Sequence, residues 1–458
     1  MSLLDQLLSI IRDACTYVFV QKRMQIRAGE LMLGLLCAMG RRTISRSICA
    51  LGRQDQDWSA DYKLYSRSLW ETQRLFDPVI KEYGQRYHQG PIVIALDDTK
   101  LSKTGRKIES AFWQKDPLSP PFHVNLMYGL RFMQASLIFP HYREGDYSAR
   151  ALPVRFVECP AVRKPGRKAG EEQIRAYRKA ARQSALPAQG LRVVEEFRTS
   201  LDRLGEGQRR ILFAVDGSLC NRTFFKAHLD RVDLVARCRK DARLCFPAPP
   251  GTRRKYGVNR FTPEQVRKDE SIGWNRAAIH FGGAWRSIGY KEINGVLWQR
   301  GAGTRRLRLL VVAPQPYKLS PGCRTYYRQP AYLFCTDLES SAATVLQAYF
   351  DRWQIEVNHR EEKDTLGVGQ AQVRSSQSVP RHPAFAVAAY SLLLLAGLKS
   401  FGPGRPKNFM ALPKWRKNAR RASALDLITL LRVEIKGNCF SEMLREKIAQ
   451  NMIPYAWA

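Results

Sequence analysis

A chain of 458 residues exceeds what one compact domain usually holds and leaves room for two to four. Hydrophobic residues at 45% and charged residues at 25% are ordinary for a soluble globular protein, but 75 Lys and Arg against 41 Asp and Glu leave a net charge of +34. A field of that sign concentrates polyanions, and nucleic acid is the commonest polyanion in a cell, ahead of acidic lipid. Ten cysteines include no CxxC pair, the closest two, Cys238 and Cys245, being separated by six residues. That spacing fits neither a zinc site nor a disulfide framework and suits reduced, mostly buried thiols.

The opening MSLLDQLLSIIRDAC carries acidic residues and no basic leader, which argues against a signal peptide. Residues 1–88 read as helix, with apolar positions at helical spacing through Leu3, Leu4, Leu7, Leu8 and Ile11 and again from Leu31 to Leu36. Thr43 is placed to cap a further helix that brings Arg41, Arg42 and Arg46 near its start, where cations and helix N–H groups both favour phosphate. From Pro91 the texture changes. Ile92–Leu96 is a short apolar run, a strand buried on both faces, ending in Asp97-Asp98-Thr99. Strand-like runs follow over 122–130 and 132–139, then a basic, Pro- and Gly-punctuated stretch over 160–190 that reads equally as a solvated helix face or as a phosphate-tracking surface. Ile211–Val215 is a second buried strand, ending in Asp216-Gly217. Residues 235–335 are basic and rich in strands, helix returns over 341–365 and 383–398, and the tail after Phe401 is basic. The apolar run Phe385–Leu398 is too short for a membrane span and reads as a core helix.

Two strands ending in Asp are half of an oxygen-donor metal site, because hydrophobic strands hold the carboxylates rigidly at an edge that substrate can reach. The stretch 346–363 supplies a third element. On an ideal helix Tyr349, Arg352, Glu356 and Lys363 fall within a sector of roughly 60°, beside an apolar seam of Leu346, Phe350, Trp353 and Val357. Asp351, Glu361 and Glu362 project elsewhere. His359 reads as a surface residue flanking this stripe.

The Tyr-x₂-Arg-x₃-Glu-x₆-Lys spacing resembles the Y-R-E-K signature of bacterial insertion-sequence DDE transposases. Asp97-Asp98-Thr99 is similar to that family's first-Asp block, Asp216-Gly217 to its second, and Glu356 to its Glu, in the same order and with the same wide gap before the Glu. The resemblance implies an α/β chain built on an RNase H-like core. The implied organisation is a helical DNA-binding domain over 1–88, the first part of the core over 89–234, a β-rich insertion over 235–335, the second part of the core with the catalytic helix over 336–400, and a basic C-terminal region over 401–458.

The same resemblance implies that Asp97, Asp216 and Glu356 bind two Mg²⁺ ions, for which Mn²⁺ would substitute. Asp98 is the alternative to Asp97: neighbouring strand residues face opposite ways, so one of the two ligates. Asp97 fits the family's block, and Ala95 and Ala214 place a small residue two before each Asp on the same face. Tyr349, Arg352 and Lys363 would hold DNA phosphates, Arg as a fork and Lys as a point charge. The implied activity is cut-and-paste transposition by phosphoryl transfer, with a hairpin on the transposon end in this branch and one of Trp274, Trp285 or Trp298 holding a base. Implied partners are double-stranded transposon ends and target DNA, bound by a homodimer in the cytoplasm without a membrane. Lys414, Trp415, Arg416 and Lys417 interleave an aromatic with cations, as nucleic-acid contacts do. The rival readings are an RNase H-like nuclease or resolvase that never joins strands, and a non-catalytic DNA-binding relative.

Overall fold

The computed structural model describes residues 2–436 except 117, 121, 144, 145, 407, 408, 410, 413–418 and 420. Five helices come first: α1 (Leu3–Val18), α2 (Lys22–Cys37), α3 (Ile44–Ala50), α4 (Ser59–Ser66) and α5 (Asp77–Arg86). Thr43 caps α3 as its position suggests, its hydroxyl accepting from the Arg46 N–H at 3.2 Å. The strands β1 (Ile92–Ser102), β2 (Phe112–Lys115), β3 (Leu126–Arg143) and β4 (Asp146–Glu158) follow, then α6 (Glu171–Gln183), α7 (Leu186–Arg203), β5 (Ile211–Val215), α8 (Arg222–Lys226) and β6 (Val232–Arg237). The two strand-like runs over 122–139 are one strand: β3 starts at Leu126 and passes through Arg131 without a turn, because it pairs along both edges.

The β-rich stretch contains α9 (Pro263–Lys268), β7 (Asn275–Phe281), β8 (Ala284–Leu297), β9 (Arg306–Val312), the short hairpin β10 (Pro316–Tyr317) and β11 (Tyr326–Tyr327), and β12 (Ala331–Cys335). It forms no separate sheet apart from that hairpin. One mixed sheet runs β2-β3-β1-β5-β6-β12-β9-β8-β7, with β4 also on β3. β1 is antiparallel to β3 and parallel to β5, β5 is parallel to β6, and β12 then joins β6 antiparallel. The chain ends, within the described residues, with α10 (Ala342–Asp351), α11 (Gln354–Arg360), α12 (Ser378–Phe401) and α13 (Ala424–Lys436).

The sheet's two faces carry different covers. Ile92, Ile94 and Leu96 of β1, with Ile211, Phe213 and Val215 of β5, enter the main core, which also holds α1, α2, α7 and α12. The opposite face of β5, Leu212 and Ala214, meets Ala342, Val345, Leu346 and Ala348 of α10. By length and composition α12 could cross a membrane, yet 83% of its most apolar window is buried inside the protein. It packs on α1, α2, β4 and α13, so the N-terminal helices share one core with it rather than forming a detached body. Six of the nine described cysteines are buried and all nine are free thiols.

Candidate active site

Alternation along the strands decides which way the carboxylates point. Val93 and Ala95 face the α10–α11 side, so Asp97 does too, while the intervening Ile94 and Leu96 fill the main core. Ala95 stands opposite Ala214 in the β1–β5 register, and Asp216 is the first residue beyond β5 on that same face. Both alanines are fully buried, and Ile355 of α11 is buried in the patch with Ala95. Small side chains on the strands let the helix lie close, which brings Glu356, the next residue, to the carboxylate edge.

Arg352 links these groups. Its Nη2 donates to Glu356 Oε1 at 3.1 Å, its Nη1 lies 4.0 Å from Asp97 Oδ2, and its guanidinium stands 5.9 Å from the Tyr349 ring centroid. Asp216 is near enough for its charge to act on Asp97, Glu356, Tyr349 and Arg352. Lys363 feels both Asp97 and Asp98. The structure therefore brings together Asp97, Asp216, Glu356, Tyr349, Arg352 and Lys363, from segments far apart in the chain.

Burial pushes the Asp97 carboxyl up to about 7, helped by the negative charge of Asp98 and opposed by Arg352. Burial also raises Glu356, again against Arg352. Asp98 takes a different partner: its Oδ2 accepts from Arg131 Nε at 2.7 Å. Among the described residues, no three His, Cys, Asp or Glu side chains are placed to hold a metal ion; Asp97 and Glu356 instead flank the Arg352 guanidinium.

Several local expectations need correction. The ideal helix over 341–365 is broken at Arg352–Trp353 and ends in a π-turn over Glu361–Thr365, so a uniform 100° projection fails beyond Asp351. Trp353 sits in that break, 59% exposed, and does not dock on the core. His359 is half-buried rather than a surface residue, and desolvation pushes its imidazole down to about 3, with Lys363 and Arg352 adding to the effect. Arg42 is buried rather than presented outward, donating to Leu36 O at 2.9 Å and Thr365 O at 3.3 Å. Arg41 and Arg46 are exposed. Lys414, Trp415, Arg416 and Lys417 lie outside the described residues.

The three candidate tryptophans separate. Trp298 packs between Phe225 and Phe334, and Trp274 lies under the Lys291 ammonium at 4.9 Å. Trp285 is 43% exposed beside Tyr147 and His280. That aromatic group opens into a cavity of about 1630 Å³ whose walls include Tyr147, His280, Tyr349, Arg352 and Trp353. Arg237, at the exposed end of β6, is near enough for its charge to act on Tyr349. No sequence signal marked it, because its place depends on β6 lying beside β5.

No known family model matches the chain, and no curated protein matches it. Among solved structures, the chain is similar to the cryo-EM synaptic complex of piggyBac transposase with hairpin DNA. That likeness has a TM-score of 0.34 and 10% identity, and spans 99% of this chain and 86% of the other. So distant a likeness leaves the functional argument to the chain's own geometry.

Proposed function

We propose that this protein is a DDE-type DNA transposase with an RNase H-like core. One observation carries the reading: Asp97 and Glu356 flank Arg352 at one sheet edge, with Asp216 near enough for its charge to act on all three. The strand order supports it. β4-β3-β1-β5-β6, with the first three antiparallel and the last two parallel to β1, is the order of an RNase H-like sheet, onto which 235–335 is built as an extension through β12.

The donor set fits Mg²⁺: hard carboxylate oxygens, partly buried, with Asp97 held toward its neutral form until positive charge is supplied. Asp97, Asp216 and Glu356 would hold the ions, with Arg352 releasing Asp97. When bound, the metal supplies charge stabilisation at the phosphate and an activated attacking oxygen. The rest of the work falls to side chains. Arg352, whose buried Nε has no hydrogen-bond partner among the described residues, offers a free edge of its fork to a phosphate oxygen. Lys363 and Tyr349 flank it. Water attack on phosphorus breaks the P–O3′ bond and frees a 3′-hydroxyl, which would attack a target phosphodiester in the same way. Cutting two ends together calls for two copies of the chain on DNA.

The test uses Glu356→Gln with a labelled transposon-end duplex and plasmid target. Cleavage and joining are expected to fall by more than the roughly 10–100-fold typical of disturbing a metal ligand's outer partner, with duplex binding retained. Unchanged cleavage would sink the reading. Persistent hydrolysis by the wild type with no joined product would indicate a nuclease instead.

A further inference from the structure

Between residues 160 and 183, eight Lys or Arg stand against two Glu, and all eight cations are exposed. The second half of this segment is α6, a helix of 13 residues with none buried. Its shape is two-sided. Ile174, Tyr177 and Ala181 are half-buried along one side, while Arg175, Arg178, Lys179 and Arg182 occupy a sector of about 100° on the other. These four cations border a shallow concavity of about 430 Å³. Glu171 pairs with Arg175 at 3.2 Å, but among the described residues no carboxylate pairs with Arg178, Lys179 or Arg182. Like charges three and four residues apart weaken a helix. Nothing in the packing of α6 requires them, so their spacing makes sense against an external polyanion.

The topology says where that surface lies. α6 leads directly into α7, which crosses back from β4 to the start of β5. The early part of α7 therefore sits at the end of β5 that precedes Asp216. Gly190 confirms the level: a Cβ there would come within 3.3 Å of Met133, which stands opposite Asp98 in the β1–β3 register. α7 packs on the main-core face of the sheet, opposite to Asp97, so α6 joins it at the level where the carboxylates stand but from the other face. A lipid surface suits it poorly, since its apolar side offers only Ile174, Tyr177 and alanines and is already half-covered.

We propose that the basic face of α6, with the loop before it, holds the phosphate backbone of duplex DNA leading to the carboxylate site. This rests on the DNA-processing reading above and adds to it a surface outside the catalytic stripe. The test is fluorescence anisotropy of a labelled random-sequence duplex with the full-length protein across a salt series. The variant is Arg175→Gln/Arg178→Gln/Arg182→Gln, since glutamine preserves helix propensity. If each arginine neutralises one phosphate, the slope of log affinity against log salt becomes shallower by about 2.7. The Arg→Lys triple variant is expected to restore the wild-type slope, which separates lost charge from a damaged helix.

A glutamine variant with the wild-type slope overturns the proposal while leaving the catalytic reading intact. A wild-type protein with no affinity for duplex overturns both. Binding to phosphatidylserine vesicles that the glutamine variant loses, with its DNA slope unchanged, would reassign the surface to lipid and overturn it too.

Discussion

Glu362 lies 1% exposed in the turn that follows α11, and burial pushes its carboxyl up to about 8 against the hydrogen bond from Gln134. Gln134 Nε2 donates to it at 2.9 Å, while Gln134 Oε1 has no donor among the described residues, so a protonated Glu362 suits the niche. Its folded pKa is raised above the ordinary 4.5, so its stabilising contribution is complete below that pH and is lost as pH rises through about 8. Glu362→Gln removes the titration. Urea unfolding is expected to show the variant ahead of wild type by on the order of 2 kcal/mol at alkaline pH, and level with it at acid pH. Parallel pH profiles for the two proteins would count against the buried neutral acid.

For an element, closeness of approach is what matters. α11 reaches the carboxylate edge because Ala95 and Ala214 leave space, with Ile355 buried in the patch beside Ala95. Ala95→Leu should overpack that contact, costing about 1–3 kcal/mol and cutting DNA cleavage disproportionately by lifting Glu356 away from Asp97. Wild-type cleavage in a destabilised Ala95→Leu protein would show that the helix position is not critical. Arg42 plays a similar structural part, tying the end of α2 to the π-turn segment through Leu36 O and Thr365 O. Arg42→Met should destabilise the fold by about 1.5–3 kcal/mol, the usual worth of a charged hydrogen-bond donor. A change in duplex affinity without any loss of stability would return Arg42 to a DNA-contact role.

Across the whole molecule, the N-terminal helices and α12 bury one another in a single core. Deleting residues 2–88 is therefore expected to yield insoluble or molten protein rather than a folded fragment, because the deletion uncovers the apolar flank of α12. Size-exclusion chromatography and near-UV circular dichroism would read this directly. A monodisperse deletion protein with native near-UV signal would show that the helices are an independent unit after all.

Part of the candidate site was legible in the chain because its signals are local. The apolar runs ending at Asp97 and Asp216 announce buried strands by side-chain periodicity alone, whereas the Tyr349–Lys363 spacing announces helix but not the break within it. The charge of +34 likewise needs no fold to be read. Other features depend on packing between segments distant in sequence. The break at Arg352–Trp353, the half-burial of His359 and full burial of Arg42, the reach of the Arg237 charge to Tyr349 and the merging of 235–335 into the main sheet had no sequence signal. Periodicity fixes which way a side chain faces along its own element; only the assembled sheet and its covering helices decide which elements become neighbours, and so which of those faces meet.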